Sequence, residues 1–180
     1  MKIDRYFYRA RQFFSALYAD PDDRDWQSAR TILTPAQMDL FTRMQASEQK
    51  HSIMVLNHLQ SVEDDIESSF KEDLFVAALL HDVGKSCYPL RLWERVMVVL
   101  AKSLFPGAVS KWGKGKPSGW RRAFVVAEQH PQWGAKMVKE AGGSCLAVEL
   151  IRKHQNFSSV KTVTIEDRLL RELQIADSRS

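Results

Sequence analysis

Apolar positions recur along this chain at helical rather than strand spacing. Residues Arg5 to Tyr18 carry Tyr6, Phe13, Phe14 and Leu17 close to one helical face, and Asp20-Pro21-Asp22-Asp23 then ends that predicted helix. Thr34-Pro35-Ala36-Gln37 reads as a helix start, with Thr34 as N-cap, Pro35 at the first helical position and Gln37 closing a capping box. One long helix is expected from there through Phe41, Met44, His51, Val55 and Leu59. Glu72 to Leu80 predicts a helix that is apolar nearly all round and hence buried, ended by Gly84 as a left-handed C-terminal cap. Leu92 to Leu104 predicts a further apolar helix, followed by a loop from Pro106 to about Gly119. Three helices close the pattern, Arg122 to Glu140, Cys145 to His154 and Ile165 to Ala176, with Gly142-Gly143 between the first two. Val160 to Val163 is the one short strand-like stretch. The pattern predicts an all-α bundle of about six or seven helices.

Composition narrows this picture without changing it. At 180 residues and 44% apolar, the chain suits one domain with a real core, and eight glycines and six prolines exclude a fibrous or disordered chain. The two cysteines, Cys87 and Cys145, lie outside any metal-ligand spacing and are expected as reduced, partly buried thiols. The start, Met1-Lys2-Ile3-Asp4-Arg5, leads into aromatics mixed with arginines rather than a secretory apolar region. Unbroken apolar runs such as Val96 to Ala101 are far too short to cross a bilayer, so cytoplasmic residence is expected. A net charge of +4 favours anionic partners: a phosphorylated substrate, a nucleic acid or an acidic membrane surface.

Chemistry concentrates in the five histidines, His51, His58, His81, His130 and His154. In Ala78-Leu79-Leu80-His81-Asp82-Val83-Gly84-Lys85 an adjacent His and Asp stand at the end of a buried helix, where uncompensated polar groups are costly. A cation removes that cost by giving the carboxylate a positive charge and the imidazole a Lewis acid. Neighbouring residues lie about 100° apart on a helix, so both can lean toward one ion.

Leu79-Leu80-His81-Asp82-Val83-Gly84-Lys85 resembles the signature of the HD superfamily of metal-dependent phosphohydrolases. The resemblance runs from roughly residue 45 to 178. It includes a single histidine about thirty residues upstream (His51), a closing aspartate on a later helix (Asp177), and His130 and His154, which look like the extra histidines of the binuclear branch. It implies a single HD-domain-like bundle, with residues 1–33 as a helical extension, 45–178 as the core and 106–122 as a basic loop. It further implies a first metal held by His51, His81, Asp82 and Asp177. Asp82 would bridge to a second metal held also by His130 and His154. One or two divalent ions are expected, Mn, Fe, Co, Ni, Zn or Mg, since four imidazoles with two carboxylates suit transition metals better than calcium. Asp82 and Lys85 are the expected catalytic residues, and Lys85, Lys114 and Arg121 the expected substrate contacts. His58, seven residues from His51, is expected outside the ligand set.

The chain departs from the HD-GYP pattern at Gln155, where a second histidine is typical, and in lacking a Gly-Tyr-Pro loop after it. Cyclic dinucleotide hydrolysis and a third metal are therefore not expected. Hydrolysis of a phosphate ester, in a nucleotide or small phosphorylated metabolite, is the leading reading. The alternatives are a catalytically silent module that binds a nucleotide or partner, and a di-iron oxygenase. Lys111 to Arg122 concentrates five positive charges and two tryptophans. That composition can steer phosphates, stack nucleobases or rest at a lipid headgroup layer, or it can be an ordinary solvated loop.

Overall fold

The computed structural model describes residues 20–62, 67–156 and 164–180, apart from the side chain of residue 106. Among these residues there are nine α-helices and no strand: α1 Asp23–Ile32, α2 Pro35–Thr42, α3 Ala46–Ser61, α4 Ser68–Leu80, α5 Leu92–Leu104, α6 Pro106–Trp112, α7 Arg122–Glu140, α8 Cys145–Lys153 and α9 Ile165–Arg179. Two 3-10 turns, Val83–Cys87 and Gly119–Arg121, follow α4 and precede α7. The all-α class stands, and the expectation of six or seven helices is corrected to nine. The predicted Arg5–Tyr18 helix and the Val160–Val163 strand both lie wholly outside the described residues.

The extra helices have local causes. Asp22, expected to end a helix, instead starts α1, because its carboxylate accepts from the Asp25 amide while Asp25 accepts from the Asp22 amide. The single long helix expected after Thr34 is two helices. Gln45 turns extended and its backbone amide donates to the Glu48 carboxylate, so α3 begins with a cap that lacks the usual Ser or Thr signal. Gln49 holds the free end of α2 by donating to the Phe41 carbonyl at 3.0 Å. Pro106, read as the start of a loop, sits at the first position of α6, where its missing donor costs nothing. The thiols Cys87 and Cys145 are exposed, contrary to expectation, because each sits at the boundary of a helical segment.

The main core joins α3, α4, α8 and α9 around Leu56, Leu59, Leu79, Leu150, Ile151 and Leu173. α4 runs through its middle, with Val76 to Leu80 all buried, as its nearly unbroken apolar sequence requires. A smaller second core, built on Val98, Val109, Phe124 and Val126, holds α5 and α6 against the first half of α7. The metal-ligand candidates lie where these two cores meet.

Gly84 does not serve as a left-handed cap; the glycines with positive φ are Gly115, Gly119 and Gly142. Gly84 is small because α7 passes against it. A Cβ there would fall 2.0 Å from the His130 carbonyl oxygen and 2.7 Å from the Gly134 nitrogen. Gly142, at φ +79°, does provide a left-handed turn. The amides of Gly142 and Gly143 donate to Lys139 and Val138, closing α7 with a Schellman pair.

Candidate metal centre

Six side chains from five helices and the turn after α4 meet at one place. α3 carries His51, the end of α4 carries His81, and Asp82 opens the following 3-10 turn. α7 brings His130 from its interior, His154 caps the end of α8, and α9 brings Asp177 from its last turns. Their ligand atoms fall into two groups, His51 with His81 and Asp177, and Asp82 with His130 and His154. In the first group the Nε2 atoms of His51 and His81 lie 2.9 and 3.7 Å from Oδ1 of Asp177. In the second, Oδ1 of Asp82 lies 3.1 Å from Nε2 of His130 and 3.9 Å from Nε2 of His154. Oδ2 of Asp82 is 3.7 Å from Nε2 of His81, which places Asp82 between the groups.

Main-chain carbonyls set the orientation of the buried imidazoles. Nδ1 of His81, His130 and His154 lies 2.9, 3.0 and 2.8 Å from the carbonyl oxygens of Ala78, Val126 and Ile151. A carbonyl only accepts, so each Nδ1 carries a proton and each ring turns its Nε2 toward the centre. Nε2 of His81 is buried and has no hydrogen-bond partner. Nε2 of His130 faces Nε2 of His154 at 3.3 Å, lone pair toward lone pair when both rings are neutral. Inward lone pairs and two carboxylates without enough donors are an unfavourable buried set by themselves and a suitable one around cations. The residues present therefore fit divalent metal.

Electrostatics points the same way. Burial opposes ionisation of Asp82, but the Lys85 ammonium at 2.5 Å, then His81 and His130, outweigh it and hold the carboxyl well below the usual range. Burial likewise opposes charge on Lys85, and Asp82 and Glu48 reverse that and raise it. For Asp177 burial is outweighed by the His51 hydrogen bond and by His81, bringing it to about 2. Burial first, then the neighbouring His81 and His130, pushes His154 down to about 3, and burial lowers His130 despite Asp82. Carboxylates stay ionised and these two imidazoles stay neutral, the protonation states that metal ligands need.

A cavity of about 230 Å³ opens beside the second group. Lys85, Arg95, Lys102, Glu48, His130 and Gln155 supply its polar wall, and residues such as Val98 and Val126 its apolar one. Lys85 thus stands between the ligand cluster and the cavity. Lys114 and Arg121 do not line it, and the Arg121 guanidinium rests over the Trp120 ring at 5.2 Å. His58 faces Arg179 instead of the cluster. Gln155 reaches to 3.5 Å from Nε2 of His130.

Arg95 and Lys102 were not singled out by sequence reasoning, although a signal existed. They lie seven residues apart, on one side of a largely apolar helix that is the first α-helix after the His-Asp motif. Glu48 was missed too; it lies three residues before His51 on α3 and pairs with Arg95 at 2.7 Å.

The family model of the HD domain matches residues 49–180. No curated protein and no solved structure matches the chain.

Proposed function

The chain belongs to the HD domain family, and from that premise we propose that it hydrolyses a phosphate ester, in a nucleotide or another small phosphorylated metabolite. Members of this family are in general metal-dependent hydrolases. The observation that carries the reading is the pair of three-ligand groups arranged around Asp82, next to a cavity with three cationic side chains. His51, His81 and Asp177 would hold one ion and His130 and His154 a second, with Asp82 serving both. Divalent ions bound there supply positive charge to the phosphoryl oxygens and activate water for attack at phosphorus.

The chain's own residues supply the rest. Lys85 neutralises one phosphate oxygen as a point charge, and Lys102 and Arg95 draw the anion into the cavity. Lys102 makes no ion pair with any described residue, so its charge is available to a substrate. Asp82 accepts a hydrogen bond from the attacking water and orients it. Val98 and Val126 take the apolar part of the alcohol that leaves. A new P–O bond to water forms as the ester P–O bond breaks; the water gives up one proton and the departing oxygen takes one up, so that an alcohol and a phosphate leave.

The test is elemental analysis of protein purified without chelator, combined with turnover on a panel of nucleotides and small phosphate esters. Metal-dependent release of phosphate by the wild type, lost in His81→Ala, is the expected result. Bound metal with no turnover of any phosphoester would overturn the hydrolase and leave a metal-containing binding module.

A further inference from the structure

The segment from Tyr88 to Ala127 has a composition unlike the rest of the chain. It holds eight Lys and Arg and one acid, a net charge of +7, while all other residues together carry −3. The one acid, Glu94, is buried and consumed by an ion pair to Arg122 at 2.6 Å. Lys111, Lys114 and Lys116 are exposed and make no ion pair among the described residues, so their charge is directed outward.

The same face is apolar where solvent reaches it. α5 packs Val98 and Met97 into the second core, yet its other side exposes Leu92, Trp93, Val99, Leu100 and Leu104. Those positions follow helical spacing and form one stripe along the helix. Trp93 is 58% exposed and Leu104 66%. Phe105 continues the stripe and touches Trp112, which in turn meets Trp120 with ring centroids 5.7 Å apart. Aliphatic and aromatic surface on this scale, bordered by unpaired lysines, marks a contact surface.

Charge and side-chain type together select the occupant. A second copy paired symmetrically would bring the Lys111, Lys114 and Lys116 edge against its own like charge. A nucleic acid would satisfy the lysines, but Leu92, Leu100 and Leu104 offer it neither a stacking plane nor a hydrogen bond. An anionic bilayer meets every part: acyl chains for the aliphatic stripe, the headgroup boundary for Trp93 and Trp120, and acidic headgroups for the lysines. No helix among the described residues is long and apolar enough to cross a membrane, so such contact lies along the surface.

We propose that the outer face of α5, with the basic segment after α6, docks this protein onto the surface of a bilayer containing anionic phospholipid. This proposal stands apart from the hydrolase reading and does not depend on turnover. Docking would leave the opposite edge of α5, with Arg95 and Lys102, on the cavity.

The test is co-sedimentation of the full chain with vesicles of phosphatidylcholine alone or mixed with phosphatidylserine. Binding to the mixed vesicles is expected, falling by at least roughly tenfold on neutral vesicles or at high salt. The variants Leu100→Glu/Leu104→Glu and Lys111→Glu/Lys116→Glu should each lose binding while keeping the wild-type circular dichroism and metal content. Quenching of wild-type tryptophan fluorescence by lipids brominated in the acyl chain supplies a readout that needs no variant. The proposal is overturned by failure to sediment with anionic vesicles at low salt, by variants that bind like the wild type, or by absence of quenching. A homodimer abolished by Leu100→Glu, or tighter binding to nucleic acid than to vesicles at equal salt, would also overturn it.

Discussion

Oδ2 of Asp82 lies 2.5 Å from Nζ of Lys85, while Oδ1 of the same carboxylate lies 3.1 Å from Nε2 of His130. One side chain thus faces a lysine on the cavity side and imidazoles on the inner side. Metal retention and phosphate contact can therefore be separated by mutation. Lys85→Gln is expected to keep its metal but to lose about 100-fold in phosphoester turnover, the scale for removing one aligned stabilising group. Parallel elemental analysis and kinetics check this; loss of metal in step with activity would make Lys85 a structural counter-ion only.

The partnerless Nε2 of His81 gives a second expectation. His81→Ala and Asp82→Ala should lose most bound metal, whereas His130→Ala or His154→Ala should lose only the share held beside Asp82. Metal content measured after purification without chelator distinguishes them. Unchanged content in His81→Ala would remove the basis of the site.

Two glycines should respond oppositely to the same added methyl group. Gly84→Ala places a Cβ against the backbone of α7, where neither partner can yield, so destabilisation should reach or exceed the roughly 1–3 kcal/mol typical of overpacking. Gly107→Ala, on α6, meets nothing within 4 Å and should be neutral or stabilising by about 0.5–1 kcal/mol. Urea denaturation midpoints of the two variants test the contrast.

Protonation links the centre to stability. His154 titrates near 3 in the fold, against 6.5 for an ordinary histidine, and His130 is lowered as well. The unfolded chain therefore binds more protons than the folded one below pH 6.5, and stability falls as acid is added. Asp82 and Asp177, also lowered, extend the loss below the ordinary aspartate value of 3.8. Chelator-treated protein should melt at a lower temperature at pH 5 than at pH 7.5, and His154→Leu should flatten that slope. Equal melting temperatures at the two pH values in the unmutated protein would mean that the imidazoles are charged in the fold.

Helices whose limits follow from local chemistry were legible in the chain. α5 and α7 begin and end where their apolar runs and breakers place them, at Leu92–Leu104 and Arg122–Glu140. The boundary between α2 and α3 was not, because the Glu48 carboxylate that caps the Gln45 amide belongs to a residue that equally suits a helix interior. α1 was hidden for a related reason, since Asp-Pro-Asp-Asp serves equally to stop one helix and to start the next.

The sequence by itself determined the helical class and the family, because apolar period and the His-Asp motif are local in the chain. Tertiary structure alone decided which oxygen of Asp82 meets which partner, why Gly84 must lack a side chain, and that Arg95 and Lys102 share a cavity with Lys85. Those outcomes depend on how closely α5 and α7 approach the turn after α4. Helix separation is set by packing between residues distant in sequence, and no local pattern records it.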